Sequence, residues 1–233
     1  MRPTVRTARG YDDLPALLTL MTGDEKHDAS ATSTLEAIWV LYDRVLRVDP
    51  ARPDAPERDR FLLSKGHGPM AYYAVLAAKG FIGPDDLRDF GSLDSILGYH
   101  PDRVLVPGVE IGSGSLGHGL GLAVGTALGL RTTGHPDARV VVMTGDAELE
   151  EGSNIEAIQY AARAGLHRLT AVVIDNSSAS LGWPGGIASR FAVEGWSTVD
   201  VDGRDPIALE RAFTTAPGDR PHAVVAHVEP KDS

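Results

Sequence analysis

RVVVMTGDAELEEGSNIEAIQYAARAGLHRLTAVVIDN, residues 139–176, decides the fold. It opens on a β-branched run, RVVVMTGD (139–146), and closes on another, LTAVVIDN (169–176), with a helical stretch at 152–165 between them. Runs this short and this apolar read as strands buried on both faces, and a helix between two of them implies a parallel pair joined by a crossover. Each run ends in a dipeptide with hard oxygen atoms, Gly145-Asp146 and Asp175-Asn176. Ligands of parallel sheets gather at the carboxyl ends of the strands. The Asp146 carboxylate and the Asn176 side-chain oxygen are therefore expected on neighbouring strand tips, where they suit a magnesium ion bound to a diphosphate. Gly145 would let the chain turn sharply there, and a helix starting near Gly152 would aim its N–H groups at the anion. The plainer alternative is that Asp146 caps that helix and Asn176 merely ends a strand.

Working outward, STVDVDG (197–203) and HAVVAHVE (222–229) extend the strand series, with helical stretches at 187–193 and 206–215. Upstream, apolar residues recur at helical spacing over 12–22 and 34–47, the latter preceded by Thr32, Ser33 and Thr34 as candidate N-caps. PMAYYAVLAAKG follows Gly66–Gly68 as a helix closed by Gly80; shorter and longer helices are expected at 84–90 and from about Leu116 to Leu130. DPARPDAPERDR (49–60) reads as an exposed loop. Strands alternating with helices give an α/β fold, a parallel sheet with helices on both faces. One domain is expected over 1–233, led by a helical segment over about 1–50.

Composition narrows the chemistry. The 233 residues are 42% hydrophobic and 23% charged, an ordinary globular balance. With 22 basic and 32 acidic residues the formal charge is -10, which repels phosphate backbones and argues against nucleic acid. An anionic ligand must then be held by local devices. Cysteine is absent, so disulfides, thiolate catalysis and sulfur-bound zinc are excluded. MRPTVRTARGYDDLPALL lacks the apolar core of a signal peptide, and no apolar run approaches the ~20 residues of a membrane span. A cytoplasmic protein without membrane contact is the expectation.

MTGDAELEEGSNIEAIQYAARAGLHRLTAVVIDNSSASLG (143–182) resembles the thiamine diphosphate signature of the transketolase family, GDG followed some thirty residues later by Asn. FLLSKGHGPMAYYAVLAAKGF (61–81) resembles that family's GHG segment, and GYHPDRVLVPGVEIGSGSLGHGLGLAVGTALG (98–129) its PGHP and TGSLGQG segments. HDASATSTLEAIWVLY (27–42) lines up with its N-terminal GHPG helix start. The motifs stand in family order and spacing over roughly residues 20 to 200, which is more specific than any one of them.

The resemblance implies thiamine diphosphate and Mg²⁺ as cofactors, with Asp146, Asn176 and the backbone carbonyl of Ser178 as metal ligands. His67 would contact the diphosphate or the reaction centre. His27 and His100 would line the channel to the thiazolium, bonding donor-sugar hydroxyls and moving protons, work that suits imidazole. Gly114 and Leu116 would border the aminopyrimidine, Gly145 and Ala147 the diphosphate. Glu151 matches a glutamate at the family's subunit interface. His118 stands where the family tolerates Gln and is open between cofactor contact and structure.

Three departures stand out: Ala147 replaces the last glycine of GDG, Ser178 and Ser180 replace apolar packing after Asn176, and a later family histidine has no counterpart. The family's pyrimidine-binding domain, which brings a glutamate to the cofactor, follows the region seen here. It would come from a second subunit, most simply in an α2β2 assembly. The implied activity is transfer of a two-carbon ketol unit from a sugar phosphate to an acceptor, by a transferase active only with its partner. A specialised lipoyl or acyl-carrier protein acceptor is an alternative. Rivals are the α subunit of a 2-oxoacid dehydrogenase, disfavoured by the sugar-binding histidines, and a non-catalytic scaffold.

Overall fold

The computed structural model describes residues 9–23, 29–215 and 218–231. Five strands, β1 (Arg60–Leu63), β2 (Val140–Gly145), β3 (Leu169–Asp175), β4 (Ser197–Asp202) and β5 (His222–His227), form one sheet in the order β1-β2-β3-β5-β4. Every pairing is parallel. The central strands alternate between two cores. Val141 and Met143 of β2, with Val172 and Ile174 of β3, face one side; Val140, Val142, Ala171 and Val173 face the other. Both sets are buried, which is why these strands carry almost no polar residue.

The first core lies under α1 (Leu14–Leu18), α3 (Leu35–Val40), α4 (Met70–Lys79) and α8 (Pro206–Thr214). The short α2 (Ala29–Thr32) precedes α3. The second core lies under α5 (Gly119–Thr132), α6 (Gly152–Arg163) and α7 (Ile187–Ala192). Helices thus cover both faces, as expected. The helix expected over 34–47 is shorter: after Val40 it widens into a π-type turn, with Leu46 N–H bonded to Leu41 O at 2.8 Å. α4 ends as its sequence foretells, on Gly80 at φ 83°.

Sequence periodicity does not reveal β1, and Arg60, expected in a loop, begins it. RFLL is too short to show a pattern; pairing decides it, Arg60 against Val140 through Leu63 against Met143. Phe61 packs edge-on against Tyr42 and Tyr72, so the edge strand is seated by aromatic contacts. At the amino ends of β1 and β2 the buried Asp59 accepts the Arg47 and Arg139 backbone N–H groups at 2.9 and 2.8 Å and both guanidinium groups. Burial alone would raise that carboxyl; the bonds from Arg47 and Arg139 outweigh it and hold it below its ordinary value. This clamp fixes one end of the sheet and leaves the other free to build a site. Among the described residues no helix is long and apolar enough to cross a membrane.

Candidate functional site

The carboxyl ends of β1, β2 and β3 open into a cavity of about 330 Å³. His67, His100, Gly114, Leu116, Gly145, Ala147, Asn176 and Ser178 all border it, drawn from segments far apart in sequence. Asp146 and Asn176 follow β2 and β3 directly, and the strands pair to Gly145 against Ile174, so the two tips are neighbours. His27 lies outside the described residues.

Asp146 is wholly buried and stands behind the cavity wall. Its carboxylate does not cap a helix: no side-chain cap bond is made to the short 3-10 turn Ala147–Glu150, and the N-cap of α6 is Glu151. Both oxygens turn instead to the loop after β3. Oδ1 accepts the Ser178 hydroxyl at 2.5 Å, and Oδ2 accepts the Ser178 and Ala179 amides at 2.6 and 3.0 Å. Asn176, 3% exposed, keeps a buried Oδ1 with no hydrogen-bond partner at the cavity. An orphaned acceptor of this kind costs free energy unless something else binds it.

Two expectations need correction. Gly145 does not make a sharp turn; it is regular strand without positive φ, and a Cβ there would meet only Lys65 at ordinary contact distance. The start of α6 does not face the cavity, because the 3-10 turn intervenes and Ala147 and Glu148 border it instead. Glu151, matched by resemblance to an interface glutamate and grouped with the cofactor residues, is exposed outside the cavity and packs beside Gly117. Ala147 itself keeps negative φ, so its methyl imposes no backbone strain.

His100 sits in a collar that only glycine permits. A Cβ on Gly66 would lie 2.2 Å from Ser113 Oγ and 3.1 Å from His100 Cδ2; Gly114, at φ +120°, would place one 3.3 Å from the same ring atom. The repeated glycines of SKGHG and GSGSLGHG therefore let two loops close on one imidazole. His67 is exposed on the cavity rim, and His118 bonds the Ser115 hydroxyl and Leu116 carbonyl outside it.

Sequence reading missed Ser64, Lys65, Glu148 and Lys231, which also border the cavity. Glu148 is 2% exposed; it accepts Ser64 Oγ–H and the Gly117 N–H at 3.0 Å, while Ser64 Oγ accepts the Gly119 N–H at 3.0 Å. Burial pushes its carboxyl above the ordinary value despite the bonds from Ser64 and Gly117. The only signal was its place in AELEEG, and three neighbouring glutamates, 148, 150 and 151, cannot be ranked by sequence. Lys65 and Lys231 bring positive charge to the cavity of an acidic chain.

The donors fit a hard divalent cation: one buried carboxylate and one buried amide oxygen without a partner, on adjacent strand tips. No cluster of three or more His, Cys, Asp or Glu that could hold a metal occurs among the described residues, so a cation here would need amide and main-chain oxygen.

The family described as "Transketolase, thiamine diphosphate binding domain" matches residues 17–228. A protein named ferredoxin fas2 from Rhodococcoides fascians is 54% identical over 222 residues, covering 95% of this chain and 73% of that one. One of the subunits of the apulose-4-phosphate transketolase of Actinobacillus succinogenes is 36% identical over 208 residues, 86% of this chain and 75% of the relative. The solved transketolase of Leishmania mexicana superposes with a TM-score of 0.72 at 27% identity, covering 89% of this chain and 37% of its own.

Proposed function

The chain belongs to the transketolase family through its thiamine diphosphate-binding domain, and on that premise we propose that it is the diphosphate-binding subunit of a two-component transferase moving a two-carbon ketol unit from a ketose phosphate to an acceptor. One observation carries the reading: the buried, unpartnered Asn176 Oδ1 beside a cavity that Lys65, His67, His100 and Lys231 border. Asn176, Asp146 and the Ser178 carbonyl would hold Mg²⁺, and the lysines would offset the charge of the diphosphate. Gly145 and Ala147 would lie against that diphosphate, Gly114 and Leu116 against the pyrimidine. When bound, thiamine diphosphate supplies the nucleophilic carbon and electron sink for cleaving a bond next to a carbonyl. His67 and His100 would bond the donor hydroxyls and carry the proton released as the carbon–carbon bond breaks.

The pyrimidine-binding half would come from a partner subunit, in an α2β2 assembly. The chain spans three quarters of a relative named as one subunit of a transketolase and about a third of a single-chain transketolase, which supports that arrangement. The test is to mix the chain with its partner, thiamine diphosphate, Mg²⁺, fructose 6-phosphate and an aldose phosphate. Erythrose 4-phosphate is expected, and its release is lost in Asn176→Ala. No product with any acceptor and no cofactor binding would contradict the proposal.

A second reading rests on the relative with the ferredoxin name. Ferredoxins hold iron–sulfur clusters through cysteine, and this chain has none, so an electron acceptor would be a separate protein or segment. The two-carbon unit would then leave as the hydroxy acid, taking its oxygen from water, with two electrons accepted one at a time by that separate iron–sulfur partner. Reduction of a ferredoxin in the same mixture without an aldose phosphate would favour this branch.

A further inference from the structure

We propose that Ser178 is a latch on the cation site, whose hydroxyl and neighbouring amides hold the Asp146 carboxylate until a divalent cation displaces them. The proposal rests on the thiamine diphosphate reading and concerns how the site loads. Asp146 is fully buried and lies behind the cavity wall, whereas Ser178 borders the cavity. Three donors already converge on the carboxylate: Ser178 Oγ–H at 2.5 Å, Ser178 N–H at 2.6 Å and Ala179 N–H at 3.0 Å. A carboxylate has about four lone-pair positions and donors hold three, so a cation arriving from the cavity finds at most one open and gains a second only by displacing a donor. Asn176 Oδ1 is in the opposite condition, buried and without any partner. The site therefore has one ligand ready and one capped.

The capping segment is short and moored at both ends. Before it, Asn176 O accepts the Lys231 N–H at 2.9 Å, and the Ser177 N–H bonds Asp175 Oδ1 at 3.1 Å. After it, Glu150 accepts the Ser180 hydroxyl at 2.8 Å and the Leu181 N–H. Between these moorings stands Ser177, the one non-glycine residue of positive φ among the described residues, at 57°. A rotation confined to 177–179 would withdraw the two amides and the hydroxyl from Asp146. It would also turn the Ser178 carbonyl, a ligand rather than a donor, toward the cation. The Ser178 hydroxyl makes the strongest single claim on Oδ1, since an O–H bonded to a carboxylate is a charge-assisted pair. Its removal should ease loading.

The test uses the chain assembled with its partner subunit, thiamine diphosphate and Mn²⁺, binding being read by paramagnetic resonance of free Mn²⁺, for wild type and Ser178→Ala. The variant should bind Mn²⁺ at least three-fold more tightly; damage to the fold would weaken binding instead. Hydrogen exchange of the Ser178 and Ala179 amides should accelerate at least ten-fold when wild type is loaded with Mg²⁺ and thiamine diphosphate. Wild-type loading with equal or weaker binding in Ser178→Ala, or with no change in exchange, overturns the latch and leaves the function standing. Failure of both proteins to take up Mn²⁺ overturns the function and the latch with it.

Discussion

At the scale of single residues, the cavity depends on Glu148, whose carboxylate ties three segments together and whose backbone carbonyl holds a fourth. Glu148 receives Ser64 from the end of β1, Gly117 from the loop before α5 and, more weakly, Gly145 from the end of β2, while its own carbonyl accepts Asn154 Nδ2 at 2.6 Å. Glu148→Gln turns an acceptor into a donor facing one of these N–H groups. The expected loss is about 1–3 kcal/mol of stability by denaturant unfolding, the range for a buried group left unsatisfied. Thiamine diphosphate should also bind several-fold more weakly in calorimetry. Unchanged stability would mean that Glu148 does not tie the loops together. Asp146 and Asn176 were legible in sequence because each follows a strand with no intervening residue, so a parallel sheet alone places them together. Glu148, Ser64 and Lys231 were not, because which of several polar residues turns inward is settled by packing between distant segments. The use made of Asp146 was equally invisible: two serines and an alanine after Asn176 look like any polar loop until their donors are seen to converge.

At the scale of elements, the alternation within β2 and β3 was written in their sequence, whereas β1 emerged only through its partner. Helices on both faces followed from the strand composition, but the start of α6 could not be located finely enough to say whether it faced the site. β5 carries a testable consequence of such burial. His222, 2% exposed, bonds the Ala212 carbonyl of α8 through Nε2 at 3.2 Å. Burial lowers its pKa from the ordinary 6.5, against the opposing effect of that bond. The folded state therefore resists a proton that the unfolded chain accepts readily. The associated stability is complete above about pH 6.5 and drains away as pH falls toward the folded-state pKa. Denaturant midpoints should drop between pH 7.5 and 5.5 by more in wild type than in His222→Gln. Equal drops would place the acid sensitivity elsewhere.

At the scale of the whole molecule, apolar side chains remain in solvent near the site. Leu116, 58% exposed, borders the cavity; Leu122 of α5 and Tyr160 of α6 stand exposed on the same core layer. Gly121, Gly125 and Gly129 leave the outer side of α5 bare, with open space where each Cβ would be. A helix stripped of side chains on one side allows another backbone to approach closely, and exposed apolar surface beside it suits association. Leu122→Glu should weaken assembly with the partner subunit at least ten-fold in sedimentation experiments while leaving the melting temperature of the free chain unchanged. Assembly of undiminished strength would move the interface to another face.

The reading as a whole turns on a divalent cation between the tips of β2 and β3. Crystals of the assembled protein grown with thiamine diphosphate and Mn²⁺ would show that ion directly through its anomalous scattering. The expected peak lies about 2.0–2.3 Å from Asn176 Oδ1 and an Asp146 oxygen, with the diphosphate on its far side. A fully occupied cofactor whose metal peak lies away from both residues, with Asn176 Oδ1 still unliganded, would contradict it.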